Sequence, residues 1–186
     1  MKENIRSIIK TGAILLAIGF ICTLILSLCN YMTKDKIAAL ALETEEAAMK
    51  EVIPEAKYFV KLEEGAEGIV TDVYVGKDTN MIVVGYCVKV KPVGYGGEIS
   101  MIVGVDTDGV VTGVKITEMS ETPGLGAKAN DDGFTEAYKG KTGGIKVRKS
   151  GTPGSDEISA ISGATVTSKA VTEGVNAAVE TVNGLQ

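Results

Sequence analysis

Apolar residues follow three different patterns along the chain. Residues 11–33 form a run without a single charged side chain. Between residues 58 and 116, short apolar runs alternate with polar residues and turns, which is typical of β-strands. Toward the C-terminus, apolar residues recur at the spacing of one helix face: Val171, Val175, Ala178 and Val182. Strands followed by helices, with a glycine-rich middle, predict an α+β fold with an antiparallel sheet and flanking helices.

The same patterns predict where the elements lie. The segment from Lys34 to about Glu51 is rich in Ala, Leu and Glu and ends before Pro54, so a helix is predicted there. Five strands are predicted: Tyr58–Leu62, Ile69–Val75, Met81–Val90, Ile99–Val105 and Val110–Ile116. The last two flank Asp106–Gly109, a hairpin signal, and alternation in the fifth strand predicts one buried sheet face. The remaining predicted elements are a helix at Asp131–Tyr138, a strand at Ile145–Val147 and a helix from Val166 to Val182, ended by Gly184.

The uncharged run from Thr11 to Thr33 is long enough to cross a membrane. About 20 apolar residues at 1.5 Å each span a hydrocarbon core of roughly 30 Å. A cleaved signal peptide is the competing interpretation, but its apolar core would be shorter, and the sequence around Cys29 makes a poor cleavage site. A lipid-modified Cys29 is a second alternative, against which the length of the run counts. We therefore expect an uncleaved single-pass anchor.

Basic residues beside the span predict its orientation in the cell membrane. Lys2, Arg6 and Lys10 precede the span, whereas Lys34 and Lys36 follow it among acidic residues. The excess of basic residues before the span places the N-terminus in the cytoplasm and the C-terminal domain outside it. The expected organisation is a cytoplasmic segment at 1–10, a transmembrane helix at 11–33, a connecting helix at 34–56 and one domain at 57–186.

Composition narrows the chemistry that the chain offers. The 186 residues carry a net charge of −5 and include no histidine, no tryptophan and three cysteines. A negative chain gives no indication of nucleic-acid binding, and the lack of histidine removes imidazole bases and His-ligated metal or haem. Since there is no C-x-x-C pair, neither a disulfide framework nor a zinc or iron–sulfur motif is readable. Cys87 alternates with apolar neighbours and is interpreted as a small core residue. We expect no metal site.

Three glycine-containing stretches carry candidate chemistry. Ile161–Ser168 places small and hydroxyl residues before the last helix, where free N–H groups and the helix dipole favour a phosphate. An ordinary N-cap is the plainer alternative for that stretch. Gly94–Ile99 is either a flexible turn or a backbone that approaches a flat ligand closely. Glu121–Gly126 contains Pro123-Gly124, which favours a type II turn, and its side chains could line a polar aromatic ring.

With these motifs in this order behind an N-terminal anchor, the chain resembles the FMN-binding domain family, and within it the RnfG family of the Rnf electron-transport complexes. It is also similar to the NqrC family of the Na⁺-translocating NADH:quinone reductases, whose members are usually longer. The motifs are Gly94–Gly97, Glu121–Gly126 and Ser162–Thr165, so the resemblance extends over nearly the whole chain. It implies an electron-carrier subunit of a membrane complex that couples ferredoxin:NAD⁺ electron transfer to ion translocation.

The resemblance also implies roles for individual residues. Thr165 would carry FMN covalently through a phosphoester bond, with Thr167 and Ser168 as alternative acceptors, and a separate flavin transferase would donate FMN from FAD. The other implied cofactor-binding residues are Ser162, Gly163, Ala164, Glu121, Thr122, Gly124, Leu125, Gly126, Tyr95 and Lys128, the last of which is otherwise a surface lysine. Two positions depart from the family pattern. Ser159 stands where an acidic residue is usual, and Met119 stands where many relatives have histidine.

The implied partners are the other subunits of the Rnf complex, the flavin transferase and membrane lipid. In such a subunit we expect no soluble substrate and no catalytic acid or base. Two other functions fit the same residues. One is a free-standing extracytoplasmic flavoprotein that passes electrons to an external acceptor. The other is a flavin-free binding module on a membrane tether, in which Ser162–Thr165 is only a helix cap.

Overall fold

The N-terminal apolar run lies in one long helix, α1, which spans Lys2–Val52 in the computed structural model of the chain. Met1, Gln186 and the side chains of residues 2–5, 7 and 8 lie outside the described residues, so the predicted segment 1–10 is described only in part and the Lys2 side chain is not described. The chain divides into two units, Met1–Glu43 and Thr44–Gln186. In the first unit every described side chain is exposed. Within Ile9–Val52 the helix is long and apolar enough to cross a membrane.

Five antiparallel strands form a sheet in which each strand lies beside its neighbour in the sequence. They are β1 (Tyr58–Leu62), β2 (Val70–Lys77), β3 (Val83–Val90), β4 (Ser100–Val105) and β5 (Val111–Glu118). All five strands predicted from the runs with β character are present, with ends that differ by at most two residues. The predicted hairpin is also confirmed, because β4 and β5 pair antiparallel. The Asp106 carboxylate stabilises the turn between them by accepting hydrogen bonds from the N–H groups of Asp108 and Val110.

Shorter elements and a long helix follow the sheet. They are α2 (Asp132–Thr135) between 3₁₀ turns at Gly126–Asn130 and Glu136–Tyr138, the parallel pair β6 (Lys146–Arg148) and β7 (Glu157–Ser159), and α3 (Thr165–Leu185). The helix predicted at Asp131–Tyr138 is thus α2 with its following 3₁₀ turn. The predicted end of the last helix at Gly184 is wrong, since α3 continues to Leu185. Glycine keeps its backbone N–H and costs only about 1 kcal/mol in a helix, so it does not have to end one.

The larger part of the core lies between α3 and one face of the sheet. All four residues that predicted the apolar face of the helix are fully buried there: Val171, Val175, Ala178 and Val182. They pack in one cluster with residues of the central strands, among them Val88, Met101 and Val103. This packing fixes the start of α3 relative to the loops that leave β3 and β5.

The opposite face of the sheet is covered by the last turns of α1, in addition to the buried face that the alternation in β5 predicted. Ala48 and Val52 pack there against Cys87 and Ile102, which confirms Cys87 as a core residue. The predicted buried face is confirmed, and glycine on the second face does not mark an exposed position here. A Cβ on Gly104 would lie 2.9 Å from Val52 Cβ, so the missing side chain makes room for the helix.

Candidate functional site

The three glycine-containing motifs meet at one cavity beside the start of α3. Its volume is about 540 Å³. The residues that line it are Tyr95, Glu121, Thr122, Leu125, Gly126, Gly163, Ala164, Thr165, Val166 and Thr167. Of the cofactor-binding residues predicted from the sequence, Ser162, Gly124 and Lys128 do not line the cavity. Val166 lines it without having been predicted to bind the cofactor, and Thr167, which also lines it, was predicted only as an alternative acceptor.

Glu121 connects the motifs through its carboxylate. Its Oε1 accepts hydrogen bonds from the N–H groups of Tyr95 and Gly96, at 2.8 Å and 3.1 Å. Its Oε2 accepts a hydrogen bond from the Thr167 hydroxyl at 2.9 Å. Glu121 is only 8% exposed, and hydrogen bonds to a buried carboxylate are stronger than those between neutral groups. One side chain therefore holds the Gly94–Gly97 turn and the first turn of α3 to the loop that follows β5.

The glycines of the first two motifs leave room for this carboxylate. A Cβ on Gly94 would overlap Glu121 Oε1 and lie 2.8 Å from Ile99 Cδ1. A Cβ on Gly126 would overlap Glu121 Oε2 and lie 2.8 Å from the Thr167 hydroxyl oxygen. Neither Gly94 nor Gly126 has a positive φ angle, so the backbone conformation does not require glycine at either position. The close approach of Glu121 thus accounts for glycine at two positions that the sequence left as a flexible turn or a ligand contact.

The loop between β5 and the first 3₁₀ turn has the predicted turn geometry. Leu125 N–H donates to Thr122 O at 3.1 Å, and Gly124 has a φ of +78°. Both features fit the type II turn that Pro123-Gly124 favours. The turn directs the Leu125 side chain toward Gly163, where a Cβ would lie 3.0 Å from Leu125 Cδ2. Leu125 therefore brings the second motif against the third at the cavity wall.

The hydroxyl groups around the start of α3 differ in their availability. Ser168 is fully buried, and its hydroxyl donates to Ala164 O and accepts from Ile161 N–H. Thr167 is 1% exposed and donates to Glu121. Ser162 is exposed but lies outside the cavity. Thr165 is half-buried and lines the cavity, and no residue in the described part of the chain forms a hydrogen bond with its hydroxyl.

The backbone at this helix start offers hydrogen-bond donors. Gly163 has a φ of +78°, which L side chains rarely adopt, and it turns the chain into α3. Ala164 N–H donates to Ile161 O. The first N–H groups of α3, from Thr165 onward, have no acceptor within the helix, and they lie at its positive end. A phosphate ester on the Thr165 hydroxyl would lie beside these donors.

Positions that depart from the family pattern lie outside the cavity. Ser159 is exposed at the end of β7. The nearby Glu157 is used elsewhere, because its carboxylate accepts from Gly154 N–H at 2.9 Å and from Arg148 at 2.6 Å. These two donors, the backbone N–H first, hold the pKa of Glu157 below its usual value. Met119 packs against the core cluster. Neither departure removes a group from the cavity wall.

The sequence carried little information about the position of Val166 in the site or about the contact that Thr167 makes there. Val166 is 52% exposed, and it does not share the spacing of the buried face of α3. The only indication of a role for Val166 in the sequence was therefore an apolar side chain outside the buried face of the helix. Thr167 was an alternative acceptor hydroxyl, but its bond to Glu121 joins residues 46 positions apart. No local pattern predicts such a contact.

A second groove, of about 650 Å³, lies on α3 away from the three motifs and is more open. Asn176 lines it, and its amide donates to Ile145 O and accepts from Ile145 N–H. The other polar residues are charged side chains such as Lys169 and Glu173, and the buried Thr172, whose hydroxyl is hydrogen-bonded to Tyr138. The smaller cavity is the candidate site, because the three motifs and the buried side chains of Glu121 and Thr167 converge there.

The chain has relatives among known proteins. The FMN-binding domain family matches residues 94–180, and the RnfG N-terminal region family matches residues 1–52. The G subunit of the Na⁺-translocating ferredoxin:NAD⁺ oxidoreductase complex of Acetobacterium woodii is 38% identical, over 97% of this chain and 94% of its own. The G subunit of the proton-translocating ferredoxin:NAD⁺ oxidoreductase complex of Clostridium ljungdahlii is 34% identical, over 88% of this chain and 85% of its own.

The fold has a counterpart among solved structures. The crystal structure of NqrC of Shewanella oneidensis superposes with a TM-score of 0.55 and 22% identity, over 72% of this chain and 73% of that chain. At this identity the likeness concerns the fold. It supports the predicted α+β class, with an antiparallel sheet, flanking helices and a long apolar helix ahead of them.

Proposed function

The chain belongs to the RnfG family of ion-translocating oxidoreductase complexes, and we propose that it is the FMN-carrying electron-transfer subunit of such a complex. In this role it contributes to electron transfer from ferredoxin to NAD⁺ coupled to ion translocation, and it turns over no substrate of its own. The observation that carries the proposal is the meeting of three separate motifs at one cavity. That cavity also holds a threonine hydroxyl without a partner in the described chain.

The residues of the cavity fit FMN. Tyr95, Leu125 and Val166 are exposed apolar or aromatic side chains at its wall and suit the faces of a flat ring. The N–H groups at the start of α3 suit a phosphate. Bound FMN accepts electrons and passes them on, while the protein supplies position and the electrostatic surroundings. Because the flavin itself exchanges the electrons, the site needs no side chain that acts as a catalytic acid or base.

Among the hydroxyls at the start of α3, Thr165 is the acceptor that we propose for a covalent phosphoester. Modification of Thr167 would break its hydrogen bond to Glu121, and modification of Ser168 would need space inside the core. Ser162 has an accessible hydroxyl, but it lies outside the cavity lining. Of these four hydroxyls at the start of α3, only that of Thr165 combines access to the cavity with the lack of a hydrogen-bond partner in the described chain.

The proposed maturation reaction is a phosphoryl transfer from FAD by a flavin transferase. A bond forms between Thr165 Oγ and the flavin-side phosphorus, the pyrophosphate bond of FAD breaks, and AMP leaves. The hydroxyl proton is released, and no electrons are exchanged. Ser162, Gly124 and Lys128 would then contribute to recognition or turn geometry and not to the cavity wall.

The sequence supports a definite sidedness for this protein. We propose that α1 anchors the chain in the cytoplasmic membrane, surrounded by lipid, with Arg6 and Lys10 on the cytoplasmic side. The FMN domain then lies outside the cytoplasm, where it meets the transferase and the other subunits. A covalent bond suits this location, because a dissociating flavin would be lost from the cell.

The test combines two threonine variants of the full-length chain, each co-expressed with the transferase. In-gel flavin fluorescence after denaturation is expected for the native chain and for Thr167→Val, and it is expected to be absent for Thr165→Ala. Flavin fluorescence that persists after denaturation of Thr165→Ala would show that Thr165 is not the acceptor. Co-purification of the native chain with polytopic subunits is expected, and its isolation as a flavoprotein without partners would support the free-standing alternative.

A further inference from the structure

Glu121 is a buried carboxylate at the wall of the cavity, and no cation is paired with it in the described chain. Its side chain is 8% exposed. Throughout the described residues, the ion pairs join other side chains, and none of them involves Glu121. Lys128 is the first basic residue after Glu121 in the sequence, and it lies on the first 3₁₀ turn. Within the part of the chain that the structure describes, it forms no ion pair with Glu121. The charge of Glu121 is therefore compensated by dipoles.

Three donors provide that compensation. Tyr95 N–H and Gly96 N–H point at Oε1, and the Thr167 hydroxyl points at Oε2. A buried carboxylate without such donors would be costly. Hydrogen bonds stabilise the carboxylate but leave its net charge at −1, in contrast to an ion pair. The negative charge thus remains at the place where the proposed function puts FMN.

We propose that Glu121 holds the FMN of this protein at a low reduction potential. The inference rests on the proposed function, because it requires FMN in the cavity that Glu121 lines. Adding electrons to a bound flavin adds negative charge there. The fixed negative charge of the buried Glu121 carboxylate opposes that addition. The repulsion between the carboxylate and the reduced flavin is weakly screened, because the carboxylate is shielded from bulk water. A lower potential makes the reduced cofactor a stronger donor to the next centre.

Two variants change this charge effect in opposite directions. Glu121→Gln removes the charge and keeps the shape, because the amide oxygen can accept from Tyr95 and Gly96 N–H while the amide nitrogen donates to Thr167 Oγ1. Thr167→Val has nearly the same volume as threonine and removes one donor from the carboxylate, which leaves its charge less compensated. The midpoint potential is expected to rise in Glu121→Gln and to fall in Thr167→Val. A residue with only a positioning role would not produce shifts of opposite sign.

The measurement is a dithionite titration of the flavinylated full-length chain in detergent, followed by flavin absorbance at fixed pH. Glu118→Gln serves as the matched control, because it removes an equal charge from an exposed position near in sequence, where solvent screens it. Its midpoint potential is expected to match that of the native chain. The two site variants are expected to differ from the native chain by shifts of opposite sign.

The outcomes separate this inference from the function on which it rests. If the native chain carries no FMN, the proposed function fails before any potential is compared. If FMN is present and Glu121→Gln leaves the potential unchanged or lowers it, the charge role of Glu121 is wrong while the function stands. If Glu121→Gln takes up no flavin, the inference is tested by the midpoint potential of Thr167→Val. A potential equal to or higher than that of the native chain overturns the inference.

Discussion

Replacing Gly126 by alanine adds a methyl group at the most crowded point of the site. The new Cβ would lie 2.8 Å from Thr167 Oγ1 and 2.9 Å from Glu121 Cβ, and it would overlap Glu121 Oε2. The φ angle of Gly126 lies outside the left-handed region, so alanine is compatible with the backbone and the conflict is steric. The substitution therefore tests the packing around the Glu121 carboxylate directly.

The structure can relieve this overlap in two ways. Glu121 can move away and lose its hydrogen bond from Thr167, and a hydrogen bond to a charged group contributes about 1.5–3 kcal/mol. Alternatively, the loop backbone can shift, and overpacking of this kind costs about 1–3 kcal/mol. The less costly route determines the result, so we expect a destabilisation of about 1–3 kcal/mol. For a domain of this size that corresponds to a fall in Tm of roughly 4–12 °C.

The assay is calorimetric unfolding of the flavin-free full-length chain in detergent, with Gly133→Ala as the matched control. A Cβ on Gly133 would meet no atom within 4 Å, and Gly133 lies in α2. Alanine there is expected to leave stability unchanged or to raise it by up to about 1 kcal/mol. Equal Tm values for the two variants would refute the crowding around Glu121 that the structure shows.

Two further predictions concern stability. Tyr138→Phe removes a buried hydroxyl that lies 2.8 Å from Thr172 Oγ1, and it is expected to cost about 1 kcal/mol at neutral pH. Burial raises the pKa of Tyr138 above its ordinary 10.0, so its contribution is present below pH 10 and is lost as the pH rises beyond that value. Denaturant titrations from pH 8 to 11 should show a shallower loss of stability in Tyr138→Phe, and identical pH slopes would contradict the assignment. Val175→Ala is expected to cost about 2 kcal/mol, because Val175 is fully buried under the sheet. Val166→Ala, at a 52% exposed position on the cavity rim, is expected to change stability by less than about 0.5 kcal/mol. The same denaturant titrations compare the two, and equal losses would contradict the assignment of the α3 core face.

Regular repetition in the sequence predicted the elements that depend on it. The face of α3 was predicted at Val171 and Val175 because helical spacing places both on the sheet, and both are fully buried. The five strands were predicted because short runs rich in β-branched and apolar residues are separated by turn residues, and the fifth run also alternates. The short strand β6 was predicted, one residue early, from Ile145 and Val147, whereas β7 contains a single apolar residue, Ile158, and therefore shows no pattern. The burial of the second face was not predicted, because it depends on Gly104 making room for the end of α1, a contact between distant segments.

The candidate site was predicted to the level of its three motifs but not to the level of their contacts. The order of the motifs indicated that they act together. The bond from Thr167 to Glu121 crosses 46 positions, and the bond from Tyr95 N–H to the same carboxylate crosses 26. Such links arise only when the sheet has aligned the loops. The sequence therefore suggested Glu121 as a ligand contact, whereas the structure also shows it as the group to which the other two motifs are hydrogen-bonded.

The central claim is that Thr165 carries the FMN of this protein. The most direct measurement is tandem mass spectrometry of the tryptic peptide Ser150–Lys169 from the native full-length chain co-expressed with the transferase. The account predicts a peptide heavier by one FMN less one water, with fragment ions that place the addition on Thr165. An unmodified peptide, or fragments that place the addition on Ser162, Thr167 or Ser168, would contradict it.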